Sequence, residues 1–71
     1  MNTCIATLTS LSLCIKAQRI LSKEAIFCKV VSVDPRLTRR GCAYGIEFAR
    51  TELQRVNQIL KSHGIRYGQI L

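Results

Sequence analysis

Apolar and polar residues follow one another in patterns that predict six elements in the order β-α-β-β-α-β. Strands are indicated where the pattern alternates with a period of two or is rich in Val and Phe, and helices where apolar residues recur at helical spacing. The predicted strands cover residues 3–8, 27–33, 42–48 and 65–70. The predicted helices run from about residue 10 to 24 and from the cap at Thr51 to the stop at Gly64.

Turn and cap residues stand between these elements. Thr9 and Ser10 precede the first helix, where a hydroxyl oxygen can accept from the free N–H groups of the first turn. The Asp34-Pro35 pair ends the second strand, because proline lacks a backbone donor and restricts the residue before it. Gly64 suits the left-handed residue that follows a helix. These local signals agree with the periodicity.

The element order predicts an α+β, ferredoxin-like fold with a four-stranded antiparallel sheet and two helices on one face. A chain of 71 residues has room for one domain, over residues 1–71, and its core is thin because a small domain buries a small share of its surface. The residues expected in that core are Leu13, Ala17, Leu21, Tyr44, Ile46, Phe48, Val56 and Leu60.

The composition and length of the chain exclude some classes of protein. A hydrophobic fraction of 48% excludes a disordered chain, and the short length excludes the large cleft of a typical metabolic enzyme, so we expect a protein that is not an enzyme. Eleven basic residues against four acidic ones give a net charge of +7, which favours an anionic partner or substrate. The basic residues expected on solvated helix faces are Lys16, Arg19, Lys23, Arg50, Arg55 and Lys61.

The four cysteines show no CxxC spacing, and the lone His63 does not complete a metal set, so we expect neither a metal site nor a cofactor. The chain begins without the charged region of a signal peptide, and its first uncharged stretch is too short and polar to span a membrane. We therefore expect a cytoplasmic protein with reduced thiols. Cys4, Cys14 and Cys28 are interpreted as small buried apolar residues, although Cys4 would suit a resolving thiol if it lay beside Cys42.

Cys42 is the candidate reactive residue. The expected topology sets the start of the third strand beside the end of the first, so Cys42 should lie near Thr9, Ser10 and the N-terminus of the first helix. That N-terminus carries about half a positive charge and unpaired N–H groups, which favour a thiolate. The loop before Cys42 adds Arg36, Arg39 and Arg40. The residues alone leave two interpretations open, a half-buried structural cysteine and a nucleophilic or sulfur-carrying thiolate.

Several stretches then match a known pattern. The sequence has Ile-Ala-Thr-Leu-Thr-Ser at 5–10, Lys-Ala-Gln-Arg-Ile-Leu at 16–21, Lys-Val-Val-Ser-Val-Asp-Pro-Arg at 29–36 and Gly-Cys-Ala-Tyr-Gly-Ile-Glu-Phe at 41–48. Together they resemble a family of small selenium/sulfur carrier-like proteins, and Cys42 falls on that family's cysteine. The chain departs from the family pattern at Leu8-Thr9, where Phe-Pro is usual, at Ala43, and at Ala25, where a helix-ending glycine is common.

The resemblance implies a carrier that holds a persulfide or perselenide on Cys42. Arg39, Arg40 and the helix N-terminus would stabilise the anion. A sulfur- or selenium-donor enzyme, such as a cysteine desulfurase, and an acceptor enzyme would be its partners.

Two alternatives come from other classes. Residues 40–48 weakly resemble the third-strand signature of RNA-recognition modules, in which exposed aromatic residues stack on bases. Exposure of Tyr44 and Phe48 on the sheet would favour RNA binding, and their burial would argue against it. The other alternative is a small basic protein-interaction module that forms a homodimer through an edge strand.

Overall fold

The computed structural model describes residues 2–39 and 41–71. Its elements are β1 (Thr3–Leu8), α1 (Leu11–Lys23), β2 (Cys28–Ser32), β3 (Tyr44–Ala49) and α2 (Leu53–Ser62), with short 3₁₀ turns at Pro35–Leu37 and Arg50–Glu52. The first three predicted strands and both predicted helices are confirmed, with ends that move by at most two residues. The chain is an α+β protein.

The strands form an antiparallel sheet in the order β1-β3-β2, so β3 is the central strand. Tyr44, the first residue of β3, faces Leu8 on one side and Ser32 on the other. Phe48, near the other end of β3, faces Cys4 and Cys28. The register therefore brings the end of β1 to the start of β3, which is where Cys42 precedes the strand.

The prediction of a fourth strand at residues 65–70 is not met in the part of the chain that the structure describes. This segment runs antiparallel beside β1 but forms one bridge, between Ala6 and Ile70. The reason is a bulge: the carbonyl of Thr7 accepts from Gly68 N, while Thr7 N donates to the carbonyl of Gln69. Two residues of the segment thus face one residue of β1, which interrupts regular pairing. The sheet has three described strands, and the ferredoxin-like topology is not confirmed.

The core lies between one face of the sheet and the two helices. The buried apolar cluster joins residues of all three strands to the inward stripes of α1 and α2. Six of the expected core residues are buried: Ala17, Leu21, Ile46, Phe48, Val56 and Leu60. Leu13 is half-buried against the cluster. Tyr44 is 36% exposed, so its prediction as a core residue is wrong: it is the first residue of β3 and lies at the end of the sheet.

Candidate functional site

Cys42 lies two residues before β3 and is 4% exposed. The register that pairs Leu8 with Tyr44 places Cys42 close to Ser10, where β1 passes into α1. Burial raises the pKa of Cys14 in α1, and the nearby Cys42 raises it further, which agrees with this placement. The thiol is thus near the N-terminal end of α1, but it is covered rather than approachable.

The cover over Cys42 is the backbone at Gly68. A Cβ atom added to Gly68 would lie 3.5 Å from Cys42 Sγ and 2.8 Å from Thr7 Oγ1. The C-terminal segment therefore passes directly over the thiol, and a side chain at Gly68 would collide with Thr7. Sequence reasoning missed this contact, although a glycine inside the predicted strand at 65–70 was a signal that another group approaches the backbone closely.

Thr7 anchors the same segment. Its side chain is fully buried, and its Oγ1 accepts from Gln69 N at 2.9 Å and donates to the carbonyl of Gln69 at 3.3 Å. A buried hydroxyl needs such partners, because an unpaired one costs about 1–3 kcal/mol. Thr7 and Gln69 were not identified from the sequence as members of the site, since their contacts join the two ends of the chain.

The basic loop before Cys42 forms hydrogen bonds and an ion pair within itself, and it also binds the C-terminal segment. The guanidinium of Arg36 pairs with Asp34 at 2.8 Å, and Arg36 N donates to Asp34 Oδ1 at 3.0 Å. These bonds lower the pKa of Asp34 and raise that of Arg36. Arg39 is exposed, and its backbone N–H donates to Gln69 Oε1 at 3.0 Å. Arg40, also predicted as an anion ligand, lies outside the described residues.

Ser10 and Thr9, the other predicted anion ligands, stand at the start of α1. Ser10 is the N-cap: its Oγ accepts from Leu13 N at 3.1 Å, and its carbonyl accepts from Cys14 N at 3.1 Å. The Ser10 hydroxyl hydrogen is left to donate elsewhere, since the cap uses only the oxygen. Thr9 is exposed in the turn before it.

The other three thiols lie in the apolar core. Burial raises the pKa of Cys4, Cys14 and Cys28, and Arg50 offsets part of the rise at Cys4. Cys4 faces Phe48, at the opposite end of β3 from Cys42, so the adjacency on which a resolving role for Cys4 depended is not present.

All four cysteines are free. Among the residues that the structure describes, no group of His, Cys, Asp or Glu side chains could hold a metal ion. Neither described helix is long and apolar enough to cross a membrane.

Tyr44 and Phe48, the two aromatic residues considered for RNA binding, differ in exposure. Phe48 is 2% exposed and belongs to the core, whereas Tyr44 is exposed. The pair of aromatic residues that an RNA-recognition strand would present is therefore not formed.

Comparison with known proteins identifies a family. The family model described as "Putative Se/S carrier protein-like" matches residues 3–71, nearly the whole chain. No curated protein and no solved structure matches it.

Proposed function

We propose that this chain, which belongs to the Putative Se/S carrier protein-like family, carries sulfur or selenium on Cys42 as a persulfide or perselenide. One observation supports the choice of cysteine. Cys4, Cys14 and Cys28 are members of the continuous apolar core, whereas Cys42 lies outside that cluster, beside the start of α1. A thiolate in the apolar core would lose most of its hydration, with a partial offset from Arg50 at Cys4, whereas Cys42 lies beside the N-terminus of α1.

The transfer chemistry needs no cofactor. In loading, the Cys42 thiolate attacks the terminal sulfur of a donor persulfide, a new S–S bond forms on Cys42, and the donor leaves as a thiolate. In delivery, an acceptor nucleophile attacks the terminal sulfur, and Cys42 departs as a thiolate. Each step exchanges one bond for another, so electrons balance without an added oxidant or reductant. Selenium follows the same path as a perselenide.

The surroundings of Cys42 would favour the anionic terminal atom. The first N–H groups of α1 point out of its N-terminus, and the Ser10 hydroxyl has a hydrogen to donate. The basic loop adds the positive charges of Arg39 and Arg40. In the structure the guanidinium of Arg36 is held by Asp34, so Arg36 would join only if that ion pair opened.

The proposed partners are a sulfur- or selenium-donor enzyme and an acceptor enzyme, in the cytoplasm, where thiols stay reduced. The net charge of +7 favours partners that present an acidic surface, because complementary charge speeds encounter. In this role the chain passes its cargo on and is not itself an enzyme.

Loading can be tested with glutathione persulfide and glutathione perselenide. The reduced protein is incubated with each compound, and mass spectrometry under non-reducing conditions locates the added atom on each cysteine peptide. We expect one added sulfur or selenium on Cys42, none in Cys42→Ala, and unchanged loading in the matched control Cys28→Ala. Equal labelling of all four cysteines, or none at Cys42, would contradict the proposal. Circular dichroism verifies that both variants fold.

A further inference from the structure

We propose that residues 68–71 form a latched cover that controls access to Cys42, and that Gln69 is the latch. The proposed carrier role explains why the cover would open, but the cover itself does not depend on that role. The structure shows the closed state: Cys42 is 4% exposed, and a Cβ atom added to Gly68 would lie 3.5 Å from Cys42 Sγ. A transfer between two proteins requires the partner's sulfur to touch Cys42 Sγ, so the cover has to move.

The cover is attached to β1 by one regular ladder pair and by irregular bonds at Thr7. Leu71 and Ile5 exchange a pair of backbone hydrogen bonds at 2.8 and 3.0 Å, as in an antiparallel ladder. The bulge at Gly68 then ends the regular pairing opposite Thr7. A short, irregularly paired segment at the edge of a sheet opens at a lower free energy than the core strands do.

Gln69 connects the cover to the loop that precedes Cys42. Its Oε1 accepts from Arg39 N at 3.0 Å, and its Nε2 donates to the carbonyl of Leu37 at 3.2 Å. Its backbone N–H and carbonyl meanwhile bind Thr7 on β1. One residue thus joins the β1 edge to the loop that precedes Cys42, and loss of its side chain would separate the two.

Alkylation by iodoacetamide measures the opening without any persulfide. The native full chain is treated with an excess of reagent, and the rate is read for each cysteine by mass spectrometry. Because Gln69→Ala removes two hydrogen bonds from the closed state, we expect Cys42 to react roughly tenfold faster in that variant. Gln69→Glu keeps the acceptor for Arg39 N and loses the donor to Leu37, so its rate should be intermediate.

Gly68→Ala provides a second, independent variant. Its Cβ would lie 2.8 Å from Thr7 Oγ1, which pushes the cover away from β1 and should also accelerate Cys42. Gln58→Ala, an exposed glutamine of α2, is the matched control and should leave the rate unchanged.

Cys14, which is fully buried in the core, reports global unfolding and should stay slow in every variant. Two results would overturn the cover: an unchanged Cys42 rate in Gln69→Ala, or a parallel acceleration of Cys14. If Cys42 becomes selectively faster but never takes up sulfur or selenium, the cover stands and the carrier role fails.

Discussion

At the scale of single residues, the four cysteines are all buried but differ in electrostatic setting. Burial raises the pKa of Cys14 and Cys28, and a charge on a neighbouring cysteine raises each further: Cys42 acts on Cys14, and Cys14 acts on Cys28. A thiolate at one position therefore disfavours a thiolate at the next. The structural role predicted for Cys4, Cys14 and Cys28 agrees with their membership of the core.

These raised pKa values predict alkaline destabilisation. The folded chain keeps thiol protons that the unfolded chain releases, so the stabilisation is present below the ordinary thiol pKa and is lost as pH rises through the folded-state values. The free energy of unfolding should fall above about pH 8.5, by up to about 1.4 kcal/mol per pH unit for each thiol. Urea unfolding of the reduced protein between roughly pH 8 and 10 measures the slope. Cys14→Ala should show a shallower slope, and parallel slopes would contradict the explanation.

The residue scale also shows where prediction of the site was incomplete. Arg36 was expected to face an anion, yet the nearest carboxylate, Asp34, holds it within the loop. Asp34 and Arg36 are two positions apart in the sequence, and the Asp-Pro-Arg order favours a turn between them. Only the structure shows that the Arg36 guanidinium binds the Asp34 carboxylate.

At the scale of elements, the two helices end in the same way. After α1, Ile26 N donates to the carbonyl of Leu21 at 2.9 Å, and Ala25 N donates to the carbonyl of Ser22 at 3.1 Å. This pair of bonds is the Schellman motif, which requires a left-handed residue after the cap. Ala25 occupies that position with φ of 59°, where a side chain is strained.

The end of α2 repeats the motif with the favoured residue. Ile65 N donates to the carbonyl of Leu60 at 2.9 Å, and Gly64 N donates to the carbonyl of Lys61 at 3.1 Å. Gly64 has φ of 72° and was predicted from the sequence as the left-handed residue. Ala25 was noted there as a departure from a common glycine, and the structure shows that the backbone still adopts the glycine conformation.

Substitutions at the left-handed residues after α1 and α2 form a matched pair. Ala25→Gly should raise the free energy of unfolding by about 1 kcal/mol, because it relieves left-handed strain at some cost in unfolded-chain entropy. Gly64→Ala should lower it by about the same amount, since its Cβ meets no atom within 4 Å and only the backbone strain acts. Chemical denaturation measures both. A loss of stability in Ala25→Gly would contradict the interpretation.

At the scale of the whole molecule, positive charge dominates. Among the described residues, Glu47, Asp34 and Glu52 form ion pairs with Lys29, Arg36 and Arg55. The sequence as a whole has eleven basic residues against four acidic ones. The molecule measures 31 × 27 × 16 Å. At an ionic strength of 0.01 M the Debye length is about 30 Å, so charges repel across the whole structure, whereas at 0.15 M it is about 8 Å.

Salt should therefore stabilise the fold. We expect the Tm to rise by a few degrees as NaCl increases from about 0.01 to 0.15 M. Screening weakens the net repulsion more than it weakens the three ion pairs of the described residues, whose basic side chains are all exposed. Thermal unfolding followed by circular dichroism checks this, with sucrose at equal osmolality as the control for water activity. A falling Tm would mean that the ion pairs outweigh the repulsion.

The amino-acid sequence by itself determined the features that depend on neighbours a few positions apart. Strand alternation, helical spacing, the Ser10 cap and the Gly64 stop each involve residues within one or two turns, so their pattern is readable along the chain. The family resemblance and its cysteine were readable for the same reason, because they are carried by short contiguous stretches.

Only the tertiary structure decided what happens between distant segments. Thr7 and Gln69 are 62 positions apart, and Arg39 and Gln69 are 30 apart, yet their hydrogen bonds put the C-terminal segment over Cys42. The same contacts set the bulge at Gly68 in place of a fourth strand. The close approach of Gly68 to Cys42 and Thr7 arises from packing distant segments together, and no local pattern of residues specifies it.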